Sequence, residues 1–403
     1  MSKKAFTFLI LTLVGILGFL IWLFFLKTPV GNKPEPIDDP SLFPFGQGTT
    51  TPALPKPVAT TTTENNTFTV PPLLIPKLRQ VSKVPTAGAT IYNQASSTFM
   101  RFIERATGHI YETTTDSLEL KQISFTTIPK IQKAEWGTSG DELIIQYLKD
   151  ENETIKTFYG KVATTSTLSG VFLDDNIENI NVLGDKVFYF STNGGQTLGI
   201  QAKLDGSKKT ALFSSSFSEW ASSWNASTSI LMFPKSSKES ENLIYALDTK
   251  TGTYTKIAGP IAGLYGVSNS DGSRALLTAS ERDGIATALY TKKTNTTKTL
   301  SGIRTFAEKC VWGKKDTRIV YCAVPESIPN NSYPDAWYEG SVHLKDSLWK
   351  INTENGETQE LTNLNIESGE DMDVDVIDID SKDSILLFRN KNTEMVWVYD
   401  ISY

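Results

Sequence analysis

The chain has 403 residues, with 39 Lys and Arg against 45 Asp and Glu, for a net charge of −6. That balance excludes a nucleic-acid binder, which needs a basic face. Only 2 histidines leave little material for imidazole catalysis or a His-rich metal site.

The first 27 residues differ in kind from the rest. Lys3 and Lys4 precede an uncharged run from Ala5 to Leu26, which ends at Lys27. As a helix, Phe6 to Leu26 would span about 31 Å, the thickness of a bilayer core. A cleaved signal peptide would need a shorter apolar region and small residues at its end. Here Trp22-Leu-Phe-Phe-Leu26 runs straight into Lys27, so residues 1–27 read as an uncleaved anchor through residues 5–26. Lys27 and Lys33 nearly balance Lys3 and Lys4 across that segment, so the positive-inside bias is slight. A short basic N-terminus is read as cytoplasmic, which places the rest of the chain outside the cytoplasmic membrane.

Residues 28–76 form the next region. The prolines crowd there, with Thr49–Thr51 and Thr60–Thr63 as threonine runs. So little apolar content cannot build a core, and a disordered, partly polyproline-like tether is expected.

From residue 77 to 403 the chain is repetitive. Tyr92, Trp136, Ile180, Trp224, Ser268 and Trp312 are each 44 residues apart. Each leads from a turn-forming stretch into a short apolar run, as in Trp136-Gly-Thr-Ser-Gly-Asp-Glu-Leu143. Short Val/Ile/Tyr/Phe runs between Gly, Asn, Asp, Ser and Thr make the region all-β. A period of about 40–45 residues with strand-like content marks a β-propeller of four-stranded blades. The last blade, Asp373 to Ile401, supplies only three strands. An open edge would leave backbone groups unpaired. Residues 77–82 resemble a fourth strand, so they are expected to pair near Val396–Asp400 and close a ring of seven blades.

Residues 325–346 interrupt blade six between its second and third strands. Such a loop opens on the same face as the connections between blades. It carries Tyr333, Trp337 and Tyr338 among three prolines, with Asp335 nearby. Aromatics on a stiffened loop give contact area at low entropic cost, which marks these four as candidate binding residues. The competing reading is that Trp337 caps the blade's own core. Cys310 and Cys322 flank a hairpin centred on Asp316 and would face each other across two strands. A disulfide there would add about 3 kcal/mol in the chain-entropy model; two buried free thiols are the alternative.

Asp371, Asp373 and Asp375 alternate along one strand, so their carboxylates share a face. No glycine-turned calcium loop accompanies them, and a solvated acidic strand is expected rather than a metal site. No nucleophile elbow, zincin motif, Walker loop or dinucleotide fingerprint occurs, and no cofactor is expected.

Ser268-Asn-Ser-Asp-Gly272 and Ile244-Tyr-Ala-Leu-Asp-Thr-Lys-Thr-Gly252 resemble the TolB-type, WD-like propeller repeats of bacterial extracytoplasmic proteins. That resemblance spans about residues 78–403, although no blade has the full motif. Arg101–Tyr111, Tyr321–Pro325 and Tyr333–Trp337 also resemble an uncharacterised membrane-anchored propeller family of candidate-phyla bacteria. Together these features lead to one expectation: an anchored extracytoplasmic propeller that binds or scaffolds a protein or cell-envelope polymer without catalysis. The alternative is an envelope hydrolase or lyase at the channel mouth, for which Asp373, Asp375 and His343 are the first suspects.

Overall fold

A computed structural model describes residues 75–149, 154–282 and 284–402. The expected anchor, residues 1–27, and nearly all of the expected tether, residues 28–76, lie outside these residues. Among the described residues no helix is long and apolar enough to cross a membrane.

Seven antiparallel sheets of four strands make up the fold. Their first strands are Thr86–Gln94, Ile131–Trp136, Glu178–Leu183, Trp220–Ala226, Tyr265–Ser268, Cys310–Trp312 and Val374–Ile379. These strands contact one another around the ring, with the 3-10 turn Ala307–Lys309 just before Cys310 meeting the inner strand of blade five, and so surround its centre. All six positions of the 44-residue period lie on these innermost strands, and all six are buried. The tryptophans there act as packing anchors. The indole N–H of Trp312 reaches back to the Val267 carbonyl of the preceding blade at 3.0 Å.

There is no single central core. Apolar layers lie between successive blades, and each second strand feeds two of them. In Ser229–Pro234, Ile230 and Met232 pack toward blade three, whereas Leu231 and Phe233 pack toward blade five. Strands apolar on both faces follow from this, because alternate side chains enter different layers.

The ring closes with the first described strand. Leu78–Gln80 pairs antiparallel with Met395–Asp400, and Leu78, Arg79 and Gln80 lie opposite Tyr399, Val398 and Trp397. Blade seven thereby gains its fourth strand. Because Leu78–Gln80 starts beside Asp400, the chain enters at the Asp400 end of that blade. The insert of blade six, between Ile319–Pro325 and Asp346–Asn352, sits at the opposite end, against Lys391. The propeller thus has an insert face and, opposite it, the face where Leu78–Gln80 begins, called the tether-entry face after the tether expected over residues 28–76.

Side chains also latch neighbouring blades together. Asp383 of blade seven accepts from the backbone N–H groups of Lys314, Lys315 and Asp316 in blade six, at 2.7, 3.1 and 3.0 Å. Such a nest of N–H groups suits a carboxylate. Asn93 of blade one accepts from the Ser381 N–H at 2.9 Å, across the seam where the ring closes.

Candidate functional site

The insert is an ordered cap with its own small core. It contains one short helix, α1 (Asp335–Tyr338), and packs Tyr333, Ala336, Trp337, Val342 and Leu344 against Phe306 and Ile285. Tyr333 is fully buried; its hydroxyl donates to the Pro329 carbonyl at 2.7 Å. The Trp337 ring stacks on Phe306 with centroids 4.6 Å apart and planes 13° apart.

This burial corrects the sequence reading of Tyr333 and Trp337 as surface contact residues. Aromatic side chains on the insert find a closer apolar surface in their own propeller, so they fold inward and fix the loop. Tyr338 is 39% exposed and stays at the surface. Asp335 is partly exposed and accepts from the Lys238 N–H at 2.8 Å, tying the insert to blade four. The four candidates therefore divide into two internal anchors and two rim residues.

Beneath Trp337 lies a buried ionic cluster. Lys309, Asp346 and Asp373 have no solvent exposure. The Lys309 ammonium donates to Asp346 at 2.8 Å and to Asp373 at 2.5 Å. Asp373 also accepts from the Trp337 indole at 3.0 Å and from the Leu344 N–H at 3.1 Å. Asp346 accepts from the Val374 N–H at 2.7 Å. The Lys309 and Lys391 ammonium groups lie 5.0 and 4.4 Å from the Trp337 ring centroid, a cation–π arrangement. Lys391 also donates to the Trp337 carbonyl. Burial pushes the Asp346 carboxyl up to about 6 against the pull of Lys309, with nearby Asp373 adding to the rise.

The 3-10 turn Ala307–Lys309 brings Lys309 into this cluster and places Glu308 beside it. Glu308 accepts from the Tyr338 hydroxyl at 2.6 Å, while its second oxygen is hidden from solvent and has no hydrogen-bond partner among the described residues. Burial pushes its carboxyl up to about 7, opposed by Tyr338, Lys309 and Lys391. Tyr265, on the inner strand of blade five, is held above the usual tyrosine range by burial and by the nearby charges of Glu308 and Glu135. A disulfide joins Cys310 to Cys322, whose Cα atoms are 4.1 Å apart, and so staples the strand that leaves this turn.

The suspects for catalysis are not brought together. Asp373 is committed to Lys309 and Trp337. Asp375 is held by Arg389 through two hydrogen bonds, of 3.0 and 2.7 Å. His343 is exposed on the insert. The acidic strand is neither a solvated row nor a convergent ligand set. Asp371 pairs with Lys345, Asp373 with Lys309, Asp375 with Arg389 and Asp378 with Lys314.

Sequence reading missed Glu308, Lys309 and Lys391. The one available signal was the charged pair in Phe306-Ala-Glu-Lys-Cys310, set where an inner strand should begin.

No family model matches this chain, and no curated protein does. Among solved structures it is similar to the β-propeller domain of the Trilobed protease from Pyrococcus furiosus, at 12% identity and a TM-score of 0.51. The match covers 79% of this chain and 96% of that domain. That domain is described as having an open velcro topology, whereas here Leu78–Gln80 closes the ring. A puromycin-hydrolysing peptidase from Mycobacterium tuberculosis matches at 12% identity and a TM-score of 0.49, over 71% of this chain. TolB from Acinetobacter baumannii matches at 13% identity and 0.42, over 64% of this chain. The chain spans only 46% of the peptidase's length and 60% of TolB's. The class defined is a seven-bladed, four-stranded propeller. At these identities the likeness is one of fold, and fold alone does not assign an activity.

Proposed function

We propose that this chain is a membrane-anchored, extracytoplasmic propeller that works as a non-catalytic binding or scaffolding module. Its partner is a protein or envelope polymer met by the insert face. One observation carries this reading: the insert is held rigid by Tyr333 and Trp337 while a rim including Tyr338, Glu339 and His343 stays exposed. A loop already fixed in one conformation loses little entropy on binding. Entry of the chain on the opposite face supports the same reading, because a tether there leaves the insert face unobstructed. The likeness to anchored propellers of candidate-phyla bacteria rests on short stretches of sequence and adds location rather than activity.

A second reading, an envelope hydrolase or lyase, is favoured by Glu308 alone. A carboxyl pushed up to about 7 has the protonation balance of a general acid–base group. Glu308→Gln separates the two readings, since glutamine can still accept from Tyr338. As a binding module, the full chain keeps its partner capture and its melting temperature with this substitution. Turnover of envelope glycan or peptide extracts that the substitution abolishes would make it an enzyme.

A further inference from the structure

The tether-entry face carries two recesses that share Lys382. The first, of about 480 Å³, lies between blades seven and one where the chain enters. Lys77, Arg79 and Lys382 line it against Asp116 and Asp400, among the hydroxyls of Ser97, Thr98 and Ser384. The second, of about 620 Å³, lies at the same end of blades six and seven. Lys315, Arg318, Lys350 and Lys382 line it against Asp316 and Asp383.

The carboxylates of this face are already engaged. Asp316 is held by Arg318, which also binds Glu354, at 2.9 and 3.0 Å. Asp383 sits in its nest of backbone N–H groups. Asp400 accepts from the Ser402 N–H and hydroxyl. Asp116 is held below the usual carboxylate range by hydrogen bonds with Thr114 and its own backbone, with Arg79 adding to this. By contrast, Lys77, Lys315, Lys350 and Lys382 form no ion pair among the described residues. Lys77 lies over the Tyr399 ring at 4.9 Å, and Lys382 reaches only the Ser96 carbonyl at 3.5 Å. In a chain of net charge −6, four unpaired lysines along two adjoining recesses form a local positive track.

We propose that this track binds an anionic polysaccharide, whose carboxylate or phosphodiester groups meet the lysines and whose hydroxyls meet the serine and threonine side chains. The shape favours a polymer over a bilayer. The lysines line recesses, and the same end of the propeller also carries Asp141, Asp248, Glu354 and Glu357, so it is not the broad positive surface that anionic lipid reads. This surface lies opposite the insert, so the insert-face reading and this one fail separately.

The test uses the full chain in a zwitterionic detergent, titrated with a labelled oligouronate, a poly(glycerol phosphate) and neutral dextran. At least one anionic polymer is expected to bind and dextran not to. Lys77→Ala/Lys382→Ala should weaken binding about tenfold or more, a loss that raising salt from about 0.05 M to about 0.5 M should mimic. Lys315→Ala/Lys350→Ala, away from the closing strand, provides the second variant, and each variant's melting temperature is measured alongside. Uronate binding alone assigns the track to carboxylates, and glycerol phosphate binding alone assigns it to phosphodiesters. Failure of both polymers to bind, or variants that bind as the wild type does, would overturn the proposal. So would protection of Lys77 and Lys382 from acylation by phosphatidylglycerol nanodiscs without polymer, which would assign the recesses to lipid headgroups.

Discussion

Deletion of residues 77–82 should replace the single cooperative melting transition of the propeller with a broad, early loss of structure. Leu78–Gln80 covers the free edge of Met395–Asp400, and without it a row of backbone groups would face no partner. The loss extends beyond three residue pairs. Leu78 is buried in the layer between blades six and seven, and Val81 is buried in the layer between blades seven and one. The Arg79 guanidinium spans the seam to the Thr114 and Ser117 carbonyls of blade one, each at 2.7 Å. The Val81 N–H donates to the Val396 carbonyl at 2.8 Å, and the Ser82 hydroxyl accepts from the Val396 N–H at 2.8 Å. Blades in a ring support each other through neighbouring layers, so opening one seam removes two layers' worth of closure. Differential scanning calorimetry of the full chain and the deletion variant tests this. Superimposable transitions would show that the ring does not depend on the strand.

Lys309→Met should be the most damaging single substitution at the insert. It removes the only cation that, among the described residues, pairs directly with two carboxylates of no solvent exposure, a change that typically costs about 3–5 kcal/mol. The size should depend on pH. The folded-state Asp346 carboxyl titrates near 6 and that of Glu308 near 7, both above the ordinary carboxyl range. The native state therefore holds more protons than the unfolded chain between the ordinary and the raised values. Their contribution to stability is complete at the acid end of that window and is lost as pH rises through 6 and 7. With Lys309 gone, protonation of Asp346 relieves part of the penalty, so the variant should be closest to wild type near pH 5 and furthest above pH 7. Denaturant titrations at both pH values measure this, and Trp337 fluorescence should shift as its cation and Asp373 partner rearrange. A variant within about 1 kcal/mol of wild type at both pH values would show that the triad contributes little.

The periodic part of the molecule was legible because each blade solves the same packing problem. Trp136, Trp224 and Trp312 recur because the same buried position on an inner strand faces a gap between two sheets, which a large side chain fills in three of the six cases. The closing strand was legible because a three-stranded last blade cannot stand with an open edge. Cys310 and Cys322 were legible as a facing pair because the hairpin around Asp316 fixes their register. The insert was different. Its place between two strands was readable, but a tryptophan on a Pro-rich loop has the same sequence signature whether it faces solvent or folds inward. What turns Trp337 inward is Asp373, Lys309 and Phe306, which lie 36, 28 and 31 residues away. The acidic alternation around Asp373 was misleading for the same reason. Its cations, Lys345, Lys309 and Arg389, come from other segments that no local spacing identifies.

Affinity capture from native membranes tests the binding role most directly. The full chain serves as bait, compared with Tyr338→Ala/Glu339→Lys on the insert rim and Lys77→Ala/Lys382→Ala on the tether-entry face. A recognition module acting through the insert predicts one stoichiometric protein partner, lost with the rim variant and retained with the lysine variant. A partner held equally by all three baits, or no partner together with Glu308-dependent turnover of envelope material, would contradict it.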